Sequence, residues 1–244
     1  MDGISKTVTA RDIAKMIDHS LLKPQMSTKE VIEGCELAKE YDCATVCVKP
    51  CDVETAYGIL KGSDVIVTTV VGFPHGVNLT EVKVMEAEIA IDQGCKELDM
   101  VLNIGRLKSG DYEYVEKDIK AVCDAARRRG VKVKVILENY YLTDEEKIKA
   151  CKIAERAGAA WVKTSTGYAE GGATIHDLKL MREACSPSVQ VKAAGGVRTL
   201  DAALAVRAVG GTRFGATATK KILEEARQRE AEGTLKLPDV IEEF

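Results

Sequence analysis

The 244-residue sequence predicts an α/β fold: a closed (β/α)8 barrel with an additional N-terminal helix, read as one domain over 1–244. Three observations lead there. Valine- and isoleucine-rich runs alternate with helix-like stretches from end to end, and strands favour such residues. One strand and one helix recur roughly every 25 to 30 residues, the crossover rhythm that parallel strands require. The runs number eight, and the length is close to the roughly 250 residues of such barrels. An open doubly wound sheet fits the same rhythm, but no Gly-rich fingerprint follows an early strand. No linker or compositional break divides the chain.

A first helix-like segment precedes IDHSLLKP (17–24). Then come ATVCVKP (44–50), VIVTTVVGF (65–73), ELDMVLNI (97–104), VKVKVILE (131–138), AAWVKTST (159–166), VQVKAAGG (189–196) and GTRFGA (211–216). The first and last of these have the weakest strand propensity. Helix starts are marked by Ser27 with Glu30, Thr143 with Glu146, and Thr174 with Asp177. Thr80 and Thr199 are expected as further caps. Gly94, Gly130, Gly158 and Gly210 mark helix ends. The stretch EEARQREAEGTLKLPDVIEEF runs past the last unit, and a short, loosely ordered tail is expected after about 231. The alternative is that its apolar side chains seal the barrel or a subunit interface.

Composition narrows the function classes. A net charge of −3 and a pI near 5.8 argue against a surface built to neutralise nucleic-acid phosphates. No apolar run reaches the roughly 18 residues of a membrane span. The opening MDGISKTVTARDIAKMID has no apolar signal-peptide core, so a cytoplasmic protein is expected. Eight cysteines occur without a C-x-x-C pair or zinc-like spacing to histidine. They read as small buried hydrophobes in a reducing compartment.

Strand parity exposes an unusual set of polar residues. Glu97, Asp99 and Asn103 share one face of their strand, and Leu98, Met100 and Leu102 share the other. Lys132, Lys134 and Glu138 oppose Val131, Val133 and Val135. Trp161, Lys163 and Ser165 oppose Val162 and Thr164, and Lys192 opposes Val189 and Val191. If the apolar faces meet the helix layer, Asp99, Lys134, Lys163 and Lys192 point into the barrel near the strands' C-terminal ends, where such barrels carry chemistry. Burial and a neighbouring like charge both lower a lysine pKa. A neutral lysine attacks carbonyls and forms a Schiff base. The set therefore suggests a nucleophilic amine, an ammonium beside it and a carboxylate that moves protons. The bland reading is that Lys132 or Lys134 snorkels from an edge and Asp99 merely pairs with a lysine.

Glycines supply a second signal. Gly167, Gly171-Gly172, Gly195-Gly196 and Gly215 follow the last three strand candidates, where barrels often bind phosphate. Asp18-His19 and Lys49-Pro50 are candidates for the same mouth. His19 and His75 read more readily as structural or surface histidines than as acid–base groups.

At this point IDHSLLKP, VCVKP, VGFPHG, ELDMVLNIG, VKTSTGYAEGGAT, VKAAGGVRT and RFGAT, in that order, resemble the deoxyribose-phosphate aldolase family over nearly the whole chain. The resemblance implies a class I, metal-independent aldolase without a cofactor, on a TIM-type (β/α)8 barrel. It implies reversible cleavage of 2-deoxy-D-ribose 5-phosphate to D-glyceraldehyde 3-phosphate and acetaldehyde. It also implies Lys163 as the Schiff-base lysine, Lys192 as the second lysine, Asp99 as the proton relay and Asp18 as a supporting carboxylate. The phosphate contacts it implies are Gly167, Gly195, Gly196, Gly215, Ala216, Thr217 and Ala218. The family often has serines in that last loop, where this chain reads GATAT. IDHSLL and ILENYYLT also depart from the usual family wording. The expected partners are a small phosphosugar and an aldehyde, with no nucleic acid and no membrane. A homodimer or higher homo-oligomer is left open. The alternatives are a related lysine-dependent phosphosugar aldolase, which a substrate panel would separate, and a non-catalytic sugar-phosphate-binding barrel, which would bind without turnover.

Overall fold

The computed structural model describes residues 7–244; residues 1–6, the start of the segment read for a signal peptide, lie outside them. Eight parallel strands close into a barrel in sequence order: β1 (Ile17–Leu21), β2 (Thr45–Val48), β3 (Ile66–Val71), β4 (Glu97–Val101), β5 (Lys132–Ile136), β6 (Trp161–Lys163), β7 (Gln190–Ala193) and β8 (Gly211–Ala216). The two runs of weakest propensity make the closure, with Asp18 paired to Gly215 and His19 to Ala216. Tertiary pairing overrides propensity there.

The extra helix α1 (Ala10–Ala14) precedes β1 and begins with a reciprocal capping box between Thr9 and Asp12. The helices α2 (Thr28–Glu40), α3 (Val53–Leu60), α4 (Thr80–Asp92), α6 (Tyr112–Arg127), α7 (Asp144–Arg156), α8 (Ile175–Ala184), α9 (Leu200–Ala208) and α10 (Thr219–Ala231) form the outer layer, and short α5 (Ile104–Lys108) precedes α6. Ser27 and Thr143 form the expected capping boxes. Thr174 and Thr199 cap with their side chains, but the Asp177 carboxylate turns instead to Lys147 and Asn139. Thr80 is not a cap. Leu79 holds the N-cap position, and the Thr80 hydroxyl donates to Asp118. Gly94 ends α4 at φ 108°, and a Cβ there would meet the Tyr57 ring at 2.4 Å. No helix among the described residues is long and apolar enough to cross a membrane.

The parity reading matches the layers. Leu98, Met100, Val133, Val135, Val162 and Val191 belong to the buried apolar cluster under the helices, each contributing roughly 1.5–3 kcal/mol by burial. Asp99, Lys134, Lys163 and Lys192 are buried on the inner wall. Lys132, on the same face as Lys134, lies at the other end of β5, exposed and 5.6 Å over the Trp161 ring. After α10 the chain stays packed: Leu235 and Leu237 are buried, and the Glu243 carboxylate accepts from the N–H groups of Ile175 and His176 at the start of α8.

Candidate active site

Neighbouring strands place the inner-wall charges level with one another. Asp99 is the register partner of Lys134, and Lys163 that of Lys192. Lys163 Nζ and Lys192 Nζ both donate to Asp99 Oδ2, each at 2.8 Å. Asp99 Oδ1 accepts from Lys134 Nζ at 2.9 Å. Lys192 also donates to Asp18 Oδ2 in a very short contact, and Arg213 binds Asp18 Oδ1 at 2.7 Å. Below them, Glu97 receives Lys134 at 2.5 Å and Arg213 at 3.1 Å. Asp18 and Asp99 are fully buried, and Lys163 is 3% exposed.

The charges of this cluster do not balance one to one. Three carboxylates (Asp18, Glu97, Asp99) face four basic groups (Lys134, Lys163, Lys192, Arg213), and every carboxylate is shared. Lys134, Lys192 and Arg213 each touch two or more of them, whereas Lys163 touches only Asp99 among the described residues. Burial pulls the Lys163 pKa below the ordinary lysine value, Asp99 opposes the fall, and the Lys192 ammonium adds to it. Lys192 moves the other way: burial pulls it down, but Asp18 and Asp99 together hold it charged. Burial would raise the Asp99 carboxyl, yet Lys134, Lys163 and Lys192 hold it well below the usual carboxylate range. Asp18 is depressed in the same way, against its own burial, by Lys192, Lys134 and Arg213. The wall therefore eases loss of the Lys163 proton while it holds the Lys192 proton, with the Asp99 carboxylate touching both.

Above this floor opens a cavity of about 530 Å³. Asp18, Lys163 and Lys192 lie at its base, and Gly167, Gly195, Gly196, Gly215, Ala216 and Thr217 lie along its wall. A Cβ on Gly167 would meet nothing within 4 Å, so a ligand can approach that backbone directly. Ala218 is the N-cap of α10, just outside the lining. Gly172 serves packing: a Cβ there would meet Gly195 O at 2.5 Å, and the Ala173 N–H beside it donates to Ala194 O and Gly195 O.

Other candidates fall elsewhere. His19 is buried against the Thr219 hydroxyl at 2.8 Å, and burial pushes its pKa down to about 4, which suits a neutral structural ring. His75 is exposed. Lys49 turns to Met26 O and Asp52 rather than to the cavity. Seven of the eight free cysteines are buried. Cys47 lines the cavity, and burial pushes its thiol up to about 11. Sequence reading passed over Arg213 and, at the mouth, Tyr168. Parity could have found Arg213, which shares its strand face with Gly215.

A family model described as DeoC/LacD family aldolase matches residues 13–225. The chain is 52% identical over 227 residues to the deoxyribose-phosphate aldolase of Caldanaerobacter subterraneus subsp. tengcongensis, covering 93% of this chain and 98% of that one. It is 55% identical over 214 residues to the deoxyribose-phosphate aldolase of Clostridium perfringens strain SM101, covering 88% and 95%. The solved deoxyribose phosphate aldolase of Aeropyrum pernix, described as a unique tetrameric structure, aligns with a TM-score of 0.84 at 29% identity, covering 90% and 93%.

Proposed function

The chain belongs to the DeoC/LacD aldolase family, as a class I, Schiff-base-forming deoxyribose-phosphate aldolase, and from that premise we propose how its residues divide the reaction. Lys163 is the nucleophile. The observation that carries this reading is that Lys163 touches a single carboxylate, Asp99, on an oxygen it shares with Lys192, which reaches Asp18 as well. In the cleavage direction the neutral Lys163 amine attacks C1 of open-chain 2-deoxy-D-ribose 5-phosphate and gives a carbinolamine. Protonation of its hydroxyl and loss of water give an iminium, whose cationic nitrogen accepts electrons. A base removes the C3 hydroxyl proton, the C2–C3 bond breaks, and D-glyceraldehyde 3-phosphate leaves. The enamine left on Lys163 is protonated at C2, and water hydrolyses the resulting iminium to acetaldehyde and free lysine.

Asp99 is placed to move these protons, since it touches the nitrogen that changes its bonding. Lys192 adds to the burial that eases loss of the Lys163 proton, and donates a proton through the same carboxylate oxygen. Asp18 anchors Lys192. The glycine wall seats the phosphate on backbone N–H groups of Gly167, Gly195, Gly196 and Gly215 through Thr217, with Ala218 behind them at the start of α10.

Borohydride added with acetaldehyde or deoxyribose phosphate tests the assignment. Peptide mapping should place the reduced adduct on Lys163, and Lys163→Leu should lose both adduct and cleavage while the barrel stays folded. A label on Lys192, or turnover by the Lys163→Leu variant, would overturn it. Cleavage should run equally with and without a chelator.

We also propose a cytoplasmic homo-oligomer. The free thiols suit a reducing compartment. Val82, Met85 and Ile89 line the outer face of α4, and with Val77 and Leu79 before it they form an exposed apolar stripe suited to a second copy. The Aeropyrum relative's tetramer supports self-association. Met85→Lys should shift the sedimentation profile toward monomer.

A further inference from the structure

The loop after β6 is aimed with care. The Thr166 N–H donates to both Glu138 oxygens, at 3.2 and 3.3 Å, and its hydroxyl donates to Glu138 Oε2. Glu138 itself sits in the left-handed region at φ 56°. Gly167 turns the chain at φ 88°, and the Tyr168 N–H closes the turn on Thr166 Oγ1 at 3.0 Å. These bonds send the Tyr168 ring across the mouth of the barrel. Its hydroxyl donates to Leu22 O, in the loop after β1, at 2.7 Å. Its ring meets Phe73, in the loop after β3, edge to face at 5.4 Å. Tyr168 is 46% exposed, and yet both the ring and the hydroxyl are engaged. Ordering a side chain at the surface costs rotamer freedom, so such anchoring calls for a reason.

We propose that Tyr168 is a positioning residue for the phosphorylated half of the substrate, holding Gly167 of the phosphate seat by bridging the β6 rim to the β1 rim. The proposal rests on the assignment of Lys163 and the glycine wall given above. Tyr168 lines the same cavity as Gly167, Gly195 and Gly196. Lys163 lies at the floor, 3% exposed, whereas Tyr168 stands at the rim. A two-carbon aldehyde bound to Lys163 carries no phosphate to seat at Gly167. A five-carbon phosphosugar with its phosphate at Gly167 lies alongside the rim. Loss of the bridge frees the Gly167 turn, so the phosphate end binds less well while the reacting atoms stay where they are.

Three measurements on Tyr168→Phe and Tyr168→Ala test this: cleavage kinetics with 2-deoxy-D-ribose 5-phosphate, cleavage of unphosphorylated 2-deoxy-D-ribose, and borohydride trapping of acetaldehyde. Removal of the hydroxyl alone should raise KM for the phosphosugar about 3- to 10-fold, and alanine should raise it further. The phosphosugar kcat should hold within about twofold. The kcat/KM for the unphosphorylated sugar and the trapping rate should match the wild type. An unchanged KM in both variants would overturn the proposal. So would a joint fall in kcat, trapping and KM performance, which would mark a general loosening of the barrel. Trapping of the wild type at a lysine other than Lys163 would instead overturn the assignment of the nucleophile.

Discussion

Two buried lysines in this protein live under different rules. Lys83 on α4 is fully buried in the helix layer, with Nζ 2.6 Å from Asp118 Oδ2 and 3.0 Å from Val101 O. The other oxygen of Asp118 accepts the Thr80 hydroxyl at 2.8 Å. That pair is closed: one cation, one acid, and each oxygen of the acid occupied. Lys163 on the inner wall shares one oxygen of Asp99 with Lys192, and Lys134 takes the other. Burial alone therefore does not mark a reactive lysine. The balance of charges around it does: Lys163 touches one carboxylate, shared with the neighbouring Lys192, and its burial and that like charge both favour loss of its proton.

The contrast breaks most sharply at the two carboxylates. Asp99→Asn should lower kcat about 10²- to 10⁴-fold, since it removes the proton-carrying group while leaving the amine in place. A kcat near wild type would reduce Asp99 to the structural status of Asp118. Lys83→Met should act on stability instead. It strands Asp118 in the core and should cost about 3–5 kcal/mol in urea denaturation, with the acetaldehyde adduct still forming on Lys163. Lys83→Met with Asp118→Leu should recover most of that loss, because an apolar pair replaces the ions. If the single variant folds but forms no adduct, the division between the two lysines fails.

The pH dependence sharpens the same point. Adduct formation needs the neutral amine, so trapping rises with pH through the folded pKa of Lys163. That pKa is lowered by burial, against Asp99 and with Lys192, so trapping should reach half its maximum below the ordinary lysine value. The groups facing Lys163 are Asp99, Lys192 and the Cys47 thiol. Lys192→Met removes the like charge, so the Lys163 pKa rises and the trapping curve moves to higher pH. A curve that stays put or moves to lower pH would show that Lys192 is not what unsettles the Lys163 proton.

Strand residues were legible because a strand alternates. Asp99, Lys134, Lys163 and Lys192 could be assigned to one side from parity alone, and β5 and β6 obey it. Arg213 escaped because GTRFGA has little β propensity, so the parity that sets Arg213 beside Gly215 on one face carried little weight there. Lys83 escaped for a different reason. Helix α4 buries Ala87, Ala90 and Ile91 on one side and exposes Val82, Met85 and Ile89 on another, so no single apolar stripe says which lysine points inward. Tyr168 lies in a loop whose course is set by Glu138, a residue 30 positions away, and nothing periodic encodes that.

Thr80 carries the smallest and most discriminating test. Its position before an apolar run suggests a helix cap, but its hydroxyl reaches Asp118, 38 residues on. Thr80→Val should cost about 1.5–3 kcal/mol, the net worth of one hydrogen bond to a buried charge, with turnover unchanged. The cost should vanish when the same substitution is made in the Lys83→Met, Asp118→Leu background, because the acceptor is already gone and coupled residues do not add. An equal cost in both backgrounds would mean that the hydroxyl supports the start of α4 after all. The closed pair would then lose its third member, and the contrast with the shared carboxylate on the inner wall would rest on Lys83 and Asp118 by themselves.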